Sequence, residues 1–179
     1  CLTEHDTFWE PAELRELSRR HGLLLLPGCE VNTDEGHFLA FGLEEYVFGI
    51  HKLPFLRQQV DQAGGVLVAA HPYRRRGLAG IRPTDLESRL TQAGQEGSFK
   101  YCDAIEGLNG RGTGDENSFS LQLGQRLGLK TTGGSDSHST GDVGTYATWF
   151  NARVESLEDL VRELKEGRFC SVSLKAEDC

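Results

Sequence analysis

The chain has 179 residues, enough for one domain with a hydrophobic core and too few for two of ordinary size. Apolar residues make up 37% and charged residues 26%, as in soluble globular proteins, and no apolar run approaches the roughly 20 residues that cross a bilayer. The net charge of −8 at pH 7 argues against a non-specific nucleic-acid binder, although bound cations could still attract an anionic substrate.

The first half of the chain alternates between helical patterns and short apolar runs. Residues 10–22 have helical spacing, with Pro11 in the first turn and Gly22 at the end. Residues 23–26 form a continuous apolar run, which is typical of a strand buried on both faces. A second apolar segment, a helix and another buried strand are then predicted at residues 37–43, 53–63 and 66–70.

The second half continues the alternation. Ser156 begins the last predicted helix with a capping-box pattern, because Asp159 follows three residues later, and Gly167 ends it. Strand, loop and helix repeated in this way predict parallel strands with covering helices. The other predicted elements are helices at residues 83–93 and 115–127, and strands at residues 104–105, 131–135 and 169–174.

Two architectures fit this alternation: a closed barrel and an open doubly wound sheet. Residues 107–112 lack the third glycine of the dinucleotide-binding fingerprint, and the sequence contains no G-x-x-x-x-G-K-[ST]. A nucleotide-binding sheet is therefore the weaker option, and the sequence favours an α/β barrel.

The cysteines and the first residues bear on the cellular compartment. Five cysteines are spread along the chain without a C-x-x-C pair, which is typical of a reduced, cytoplasmic protein rather than a disulfide scaffold or a zinc finger. No basic segment followed by an apolar stretch opens the chain, so no signal peptide is predicted. Because the sequence contains no Met, we expect it to begin partway through a domain.

Carboxylate and imidazole side chains recur where the predicted strands end. In a parallel barrel these ends meet at one face, where active sites are assembled from successive loops. Histidine and carboxylate oxygen are ligands of Zn, Mn and Fe, and charged groups that meet there would repel one another without a cation. The polar residues at these positions are Glu4, His5, Asp6, Glu30, His37, His71, Glu106, Asn109, Asp136 and His138.

Each of these residues alone also has an ordinary explanation. His5 could be a turn residue, Glu30 a solvated loop carboxylate, and Glu106 the ion-pair partner of Arg111. Their conjunction at successive strand ends is hard to explain by packing. The sequence therefore favours a metal site over separate structural roles.

Six segments, in family order, resemble motifs of the PHP superfamily, the polymerase and histidinol phosphatase domain. They are L-T-E-H-D at 2–6, P-G-C-E at 27–30, G-H-F-L at 36–39, A-H-P at 70–72, D-A-I-E at 103–106 with Asn109, and G-S-D-S-H at 134–138. The resemblance implies a distorted (β/α)7 TIM-like barrel with two or three divalent metal ions, Mn, Zn or Fe. The metal ligands that it implies are His5, Glu30, His37, His71, Asp136 and His138.

The chain departs from the family pattern at its start. Such domains open with an H-x-H motif on the first strand, and this sequence starts just before the second. We therefore expect residues 1–179 to be a single PHP-like domain without its first strand and helix, and to have little or no activity without the preceding segment.

The resemblance implies hydrolysis of phosphate monoesters or diesters by a metal-activated hydroxide. Arg74, Arg75 and Arg76 directly follow the A-H-P segment, and one of them could bind a phosphate in bidentate fashion. The residues expected to contact substrate or to orient ligands are Glu4, Asp6, Arg74, Arg75, Glu106, Asn109 and Arg111.

Two other functions remain open at this point. One is an acyl or amide hydrolase with the same type of site, and the other is a non-catalytic, metal-stabilised module that binds a partner or regulates a polymerase. For the favoured phosphoesterase, the expected partner is a small phosphorylated substrate or a short nucleotide, and we expect neither non-specific nucleic-acid binding nor a membrane.

Overall fold

A computed structural model describes residues 1–78 and 80–174 of the chain. Within these residues, helices and strands alternate in a mixed α/β arrangement. In chain order they are α1 (Pro11–His21), β1 (Cys29–Thr33), β2 (Gly36–Phe41), α2 (Leu53–Gln62), β3 (Val66–Ala69), α3 (Pro83–Ala93), β4 (Ala104–Asn109), α4 (Gly114–Leu127), β5 (Lys130–Gly134), β6 (Tyr146–Phe150), α5 (Leu157–Lys165) and β7 (Phe169–Ser173), with short 3₁₀ helices at Gly97–Tyr101 and Thr140–Asp142. No helix in the described part of the chain is long and apolar enough to span a membrane.

The chain forms two compact units. The first comprises residues 1–70, 101–103 and 152–167, and the second comprises the described residues of 71–100, 104–151 and 168–179. Helices α1, α2 and α5 and strands β1 to β3 belong to the first unit, and α3, α4 and β4 to β7 belong to the second.

Strands β1, β2 and β3 form an antiparallel arrangement in the first unit. Asp34 and Glu35 join β1 to β2 in a tight turn, and Gly36 follows with a φ of 123°, a conformation that favours glycine. Residues 2–6 pair in parallel with residues 26–30, since the Glu30 amide donates to the Glu4 carbonyl at 3.1 Å. This pairing places His5 beside Glu30.

The first unit buries apolar residues between its helices and β3. Both α2 and α5 contact β3, all four residues of β3 are buried, and so are Leu160 and Leu164 of α5. Leu53, Leu56 and Val60 of α2 are inaccessible to solvent, and each contributes about 2 kcal/mol of burial free energy.

The second unit contains a parallel strand pair crossed by a helix. Strands β4 and β5 are parallel and α4 connects them, beginning at a capping box of Thr113 and Glu116 and ending at Gly128, which has a φ of 69°. Strands β6 and β7 pair antiparallel, and both contact β5.

The predicted strand at residues 23–26 is wrong. Leu23 is 62% exposed, and the strand begins only at Cys29. The amides of Leu23 and Leu25 donate to the carbonyl and the hydroxyl of Ser18, respectively, at the end of α1. Because the amides of Leu23 and Leu25 are bonded to the helix end, they are not available for sheet pairing, and the pairing with residues 2–6 begins at the Leu26 carbonyl.

The prediction of parallel strands holds for β4 and β5 but is wrong for the pairs β1–β2, β2–β3 and β6–β7, which are antiparallel. The turn between β1 and β2 is too short for the crossover helix that a parallel pair requires. The described strands form no closed barrel, so the α/β class is confirmed and the TIM-like barrel is not. A single domain over residues 1–179 stays a prediction.

The described cysteines form no disulfide. Cys1, Cys29, Cys102 and Cys170 carry thiols, and Cys179 lies outside the described residues. That the chain is a reduced protein rather than a disulfide scaffold stays a prediction.

Candidate metal centre

Three of the predicted ligands meet in the first unit. Donor atoms of His5, Glu30 and His37 all lie within 4.8 Å of one another. Nδ1 of His37 is 2.8 Å from Oε1 of Glu30, and Nδ1 of His5 is 4.0 Å from the same oxygen. The two imidazole rings meet edge to face, with centroids 5.1 Å apart. The structure thus brings these three side chains together.

The register of β1 and β2 creates the contact between Glu30 and His37. His37 lies opposite Asn32, and Glu30 projects from the same face of β1 as Asn32 because side chains alternate along a strand. His37 is therefore the diagonal cross-strand neighbour of Glu30, within reach of long side chains.

The residues present fit a divalent cation. Glu30 is only 7% exposed, and a buried carboxylate requires a compensating partner. One carboxylate and two imidazoles form a donor set that suits Zn, Mn or Fe. Two ligands on one ion can be at most about 4 Å apart, twice the metal–ligand distance of about 2.1 Å, so the observed spacing requires only small side-chain movements.

Two further predicted residues flank His5 in sequence. Glu4 accepts a hydrogen bond from Nε1 of Trp9. Asp6 accepts two hydrogen bonds from Asn32, one from the backbone amide at 3.1 Å and one from Nδ2 at 2.6 Å. Both carboxylates are thus hydrogen-bonded to neighbouring residues, beside the group formed by His5, Glu30 and His37.

A second polar cluster lies in the second unit. Oδ2 of Asp136 accepts from Nη1 of Arg74 at 2.6 Å and from Nδ2 of Asn109 at 3.2 Å. Oε2 of Glu106 accepts from the same amide at 3.1 Å and from the backbone N–H of His71 at 2.8 Å. Nε2 of His71 is 4.0 Å from Oδ2 of Asp136. These five residues form one connected network.

The backbone and the electrostatics of this cluster are unusual. His71 and Asp136 have φ values of 28° and 48°, a conformation that costs a non-glycine residue about 1–3 kcal/mol and that often occurs at functional sites. Burial raises the pKa of the Glu106 carboxyl to about 7, although His71 and the hydrogen bond from Asn109 favour its charged form. A nearby cation would oppose this effect of burial.

The remaining predicted residues lie at the edge of this cluster. Nδ1 of His138 is 3.5 Å from Oδ1 of Asp136, and the His138 side chain is exposed. Arg75 and Arg111 are exposed as well, and it is their backbone amides that bond to Glu116 and Asn109. Glu106 therefore makes its bonds within the network rather than to Arg111.

Asn32 and His51 were not among the residues predicted for the site. Asn32 binds Asp6, and its carbonyl oxygen accepts a hydrogen bond from Nδ1 of His51 at 2.8 Å. The only signal in the sequence was its position two residues after Glu30, which places both on one face of a strand.

Comparison with known proteins supports the family resemblance. Residues 114–169, from the start of α4 to the start of β7, match the model of a family described as PHP-associated. No curated protein matches the sequence.

Three solved structures share the fold. PsfC from Pseudomonas syringae is 21% identical with a TM-score of 0.60, over 85% of this chain and 60% of its own. A two-domain protein from Bacteroides vulgatus, containing a predicted PHP-like metal-dependent phosphoesterase, is 20% identical with a TM-score of 0.61, over 97% of this chain and 55% of its own. A proposed metal-dependent phosphoesterase from Bifidobacterium adolescentis is 17% identical with a TM-score of 0.55, over 90% of this chain and 83% of its own.

The chain thus spans 60% and 55% of the length of the first two of these proteins. The family match at residues 114–169 and the fold shared with PHP-like structures confirm that this chain resembles the PHP superfamily.

Proposed function

We propose that this chain carries the metal centre of a metal-dependent phosphoesterase. The observation that carries the proposal is the group formed by His5, Glu30 and His37, whose donor atoms lie within 4.8 Å of one another around a buried carboxylate. The names of two structures with the same fold, which describe predicted or proposed phosphoesterases, support the choice of reaction.

A divalent cation held by His5, Glu30 and His37 would supply positive charge that stabilises a developing phosphoryl charge and would make water more acidic. Glu30 provides the anionic donor. Because Glu30 is buried, its negative charge is unfavourable unless a cation or a protonated group is close. His5 and His37 provide the neutral donors. We propose His71, Asp136 and His138 as ligands of a further ion in the second unit.

We assign phosphate binding to Arg74 among the three consecutive arginines. Its side chain is 16% exposed and its guanidinium bonds to Asp136, which orients it within the cluster. The Arg76 guanidinium instead lies 5.2 Å over the Tyr73 ring, and Arg75 is exposed. An arginine has five N–H donors, so Arg74 can bind a phosphate oxygen while it keeps its bond to Asp136.

The test is a comparison of substrates with the natural protein loaded with Mn²⁺. An aryl phosphate monoester, an aryl phosphate diester and an aryl amide are assayed side by side. The proposal predicts hydrolysis of at least one phosphate ester and loss of that activity in Asp136→Ala. The matched control is Asp85→Ala, which removes the half-exposed carboxylate on α3 paired with Arg82 and should keep full activity.

Each of the other outcomes assigns a different function. Turnover of the amide alone would show an acyl hydrolase. Metal binding without turnover of any of the three substrates would show a non-catalytic, metal-stabilised module.

A further inference from the structure

We propose that Asn32 is a positioning residue that holds His5 in the metal centre by clamping the carboxylate of Asp6. The proposal rests on the proposed function, because it concerns the metal centre of His5, Glu30 and His37.

The clamp consists of two hydrogen bonds to the two oxygens of one carboxylate. The Asn32 backbone amide donates to Oδ1 of Asp6 at 3.1 Å, and Nδ2 donates to Oδ2 at 2.6 Å. Hydrogen bonds to a carboxylate are stronger than those between neutral groups, and two of them fix the plane of the acceptor. Asp6 is thereby attached to β1 at two points.

The backbone pairing of residues 4–6 with Glu30 places His5, and the clamp adds support because the His5 side chain itself is weakly packed. The His5 side chain is 44% exposed, whereas Glu30 is buried. Asp6, the next residue, has a φ of 50°, an uncommon conformation for a residue other than glycine. The clamp stabilises this backbone conformation at Asp6. The same turn contains the hydrogen bond from Oγ1 of Thr7 to the His5 carbonyl at 3.0 Å.

Asn32 is itself firmly placed. It lies in β1 on the face that carries Glu30, and His37 is its cross-strand partner on β2. Its carbonyl oxygen accepts a hydrogen bond from His51, outside the β1–β2 pair. One strand pair thus carries Glu30 and His37 directly and holds His5 through Asp6. Residues that orient metal ligands in this way have large effects on metal affinity.

The first experiment is Asn32→Asp in the natural protein, with the Co²⁺ dissociation constant measured by titration calorimetry and the Co²⁺ ligand-field spectrum recorded. An added negative charge near a cation would by itself tighten binding. Repulsion from Asp6 would instead open the clamp. We expect Co²⁺ binding about 10- to 100-fold weaker and a changed spectrum, because the displaced His5 no longer completes the donor set.

The second experiment is a rescue by exchange of the two residues. In D6N/N32D the amide at position 6 donates to the carboxylate at position 32, and its oxygen still accepts from the backbone amide of residue 32. Asn also tolerates a positive φ, and the net charge is that of the unaltered protein. We expect affinity and spectrum to return toward those of the unaltered protein, which a merely destabilising change at Asn32 would not allow.

The control is Asn151→Asp, which adds the same charge at an exposed position of the second unit and should leave Co²⁺ binding unchanged. If Asn32→Asp does not fold, judged by circular dichroism, Asn32→Ala removes the side-chain donor without adding charge and is expected to weaken binding.

The outcomes separate this inference from the proposed function. If the unaltered protein binds Co²⁺ and the folded Asn32 variant binds it equally or more tightly, the positioning role is overturned and the metal centre stands. Failure of the exchange to restore binding also overturns the positioning role. If the unaltered protein binds no divalent cation, both are overturned.

Discussion

Single buried carboxylates with polar partners lie at the centre of the group of His5, Glu30 and His37 and of the network around Asp136. Glu30 lies beside two imidazoles, and Glu106 and Asp136 share the amide of Asn109. The partners of these carboxylates differ in charge. Arg74 places a full positive charge beside Asp136, whereas the Asn109 side chain is a neutral amide. The charge balance of Asp136 therefore depends on Arg74.

The substitution Arg74→Ala tests this dependence. It leaves the Asp136 carboxylate with its hydrogen bond from Asn109 and with the imidazoles of His71 and His138 nearby, and we expect the free energy of unfolding in EDTA to fall by about 2 kcal/mol. Saturating Mn²⁺ should restore part of the loss if Asp136 also binds metal. Urea denaturation with and without Mn²⁺ measures both effects.

Arg75→Ala is the matched control for Arg74→Ala, because the Arg75 side chain is exposed and only its backbone amide is bonded to Glu116. We expect a change within about 0.5 kcal/mol. Equal unfolding midpoints for the two variants would show that the ion pair of Arg74 and Asp136 does not stabilise the cluster.

At the scale of elements, local signals predicted the helices well and the strands less well. Gly22 and Gly128 end α1 and α4 in the left-handed conformation, and the Ser156 hydroxyl accepts from the Asp159 amide at the start of α5. These are contacts between residues close in sequence. The strand predicted at residues 23–26 is wrong because an apolar run shows only that a segment can be buried. Whether it pairs in a sheet depends on residues that are distant in the sequence.

The candidate site shows the same limit of sequence analysis. Residue type and motif order selected His5, Glu30 and His37, and the structure brings these three together. The predicted route was wrong, because Glu30 and His37 meet through an antiparallel register rather than at the ends of parallel strands. Asn32 could not be predicted, since its contact with Asp6 joins residues 26 positions apart.

A capping box of Thr113 and Glu116 stabilises the start of α4. Thr113 accepts from the Glu116 amide at 3.3 Å, and the Thr113 amide donates to the Glu116 carboxylate at 2.9 Å. Thr113→Ala leaves a helix N–H without its acceptor and should lower the free energy of unfolding by about 1 kcal/mol. Thr113→Ser keeps the hydroxyl and should keep most of the stability. Chemical denaturation curves that coincide for the two variants would contradict this role of the cap.

For the whole molecule, charge is the main constraint on the proposed function. The net charge of −8 opposes the approach of a phosphorylated substrate. A phosphoesterase of this composition therefore needs positive charge concentrated at its site, which bound cations and Arg74 would provide. Because each unit contributes three of the proposed ligands, the loss of one ligand should remove one class of bound ion rather than all of them.

Elemental analysis of metal content shows whether Glu30 binds a metal ion. The natural protein, Glu30→Gln and the control Glu35→Gln are saturated with Mn²⁺, dialysed and analysed together. Glu35 lies exposed in the turn between β1 and β2, so its change should have no effect. We predict one equivalent of metal fewer in Glu30→Gln than in the other two proteins. Equal metal content in all three proteins would contradict it.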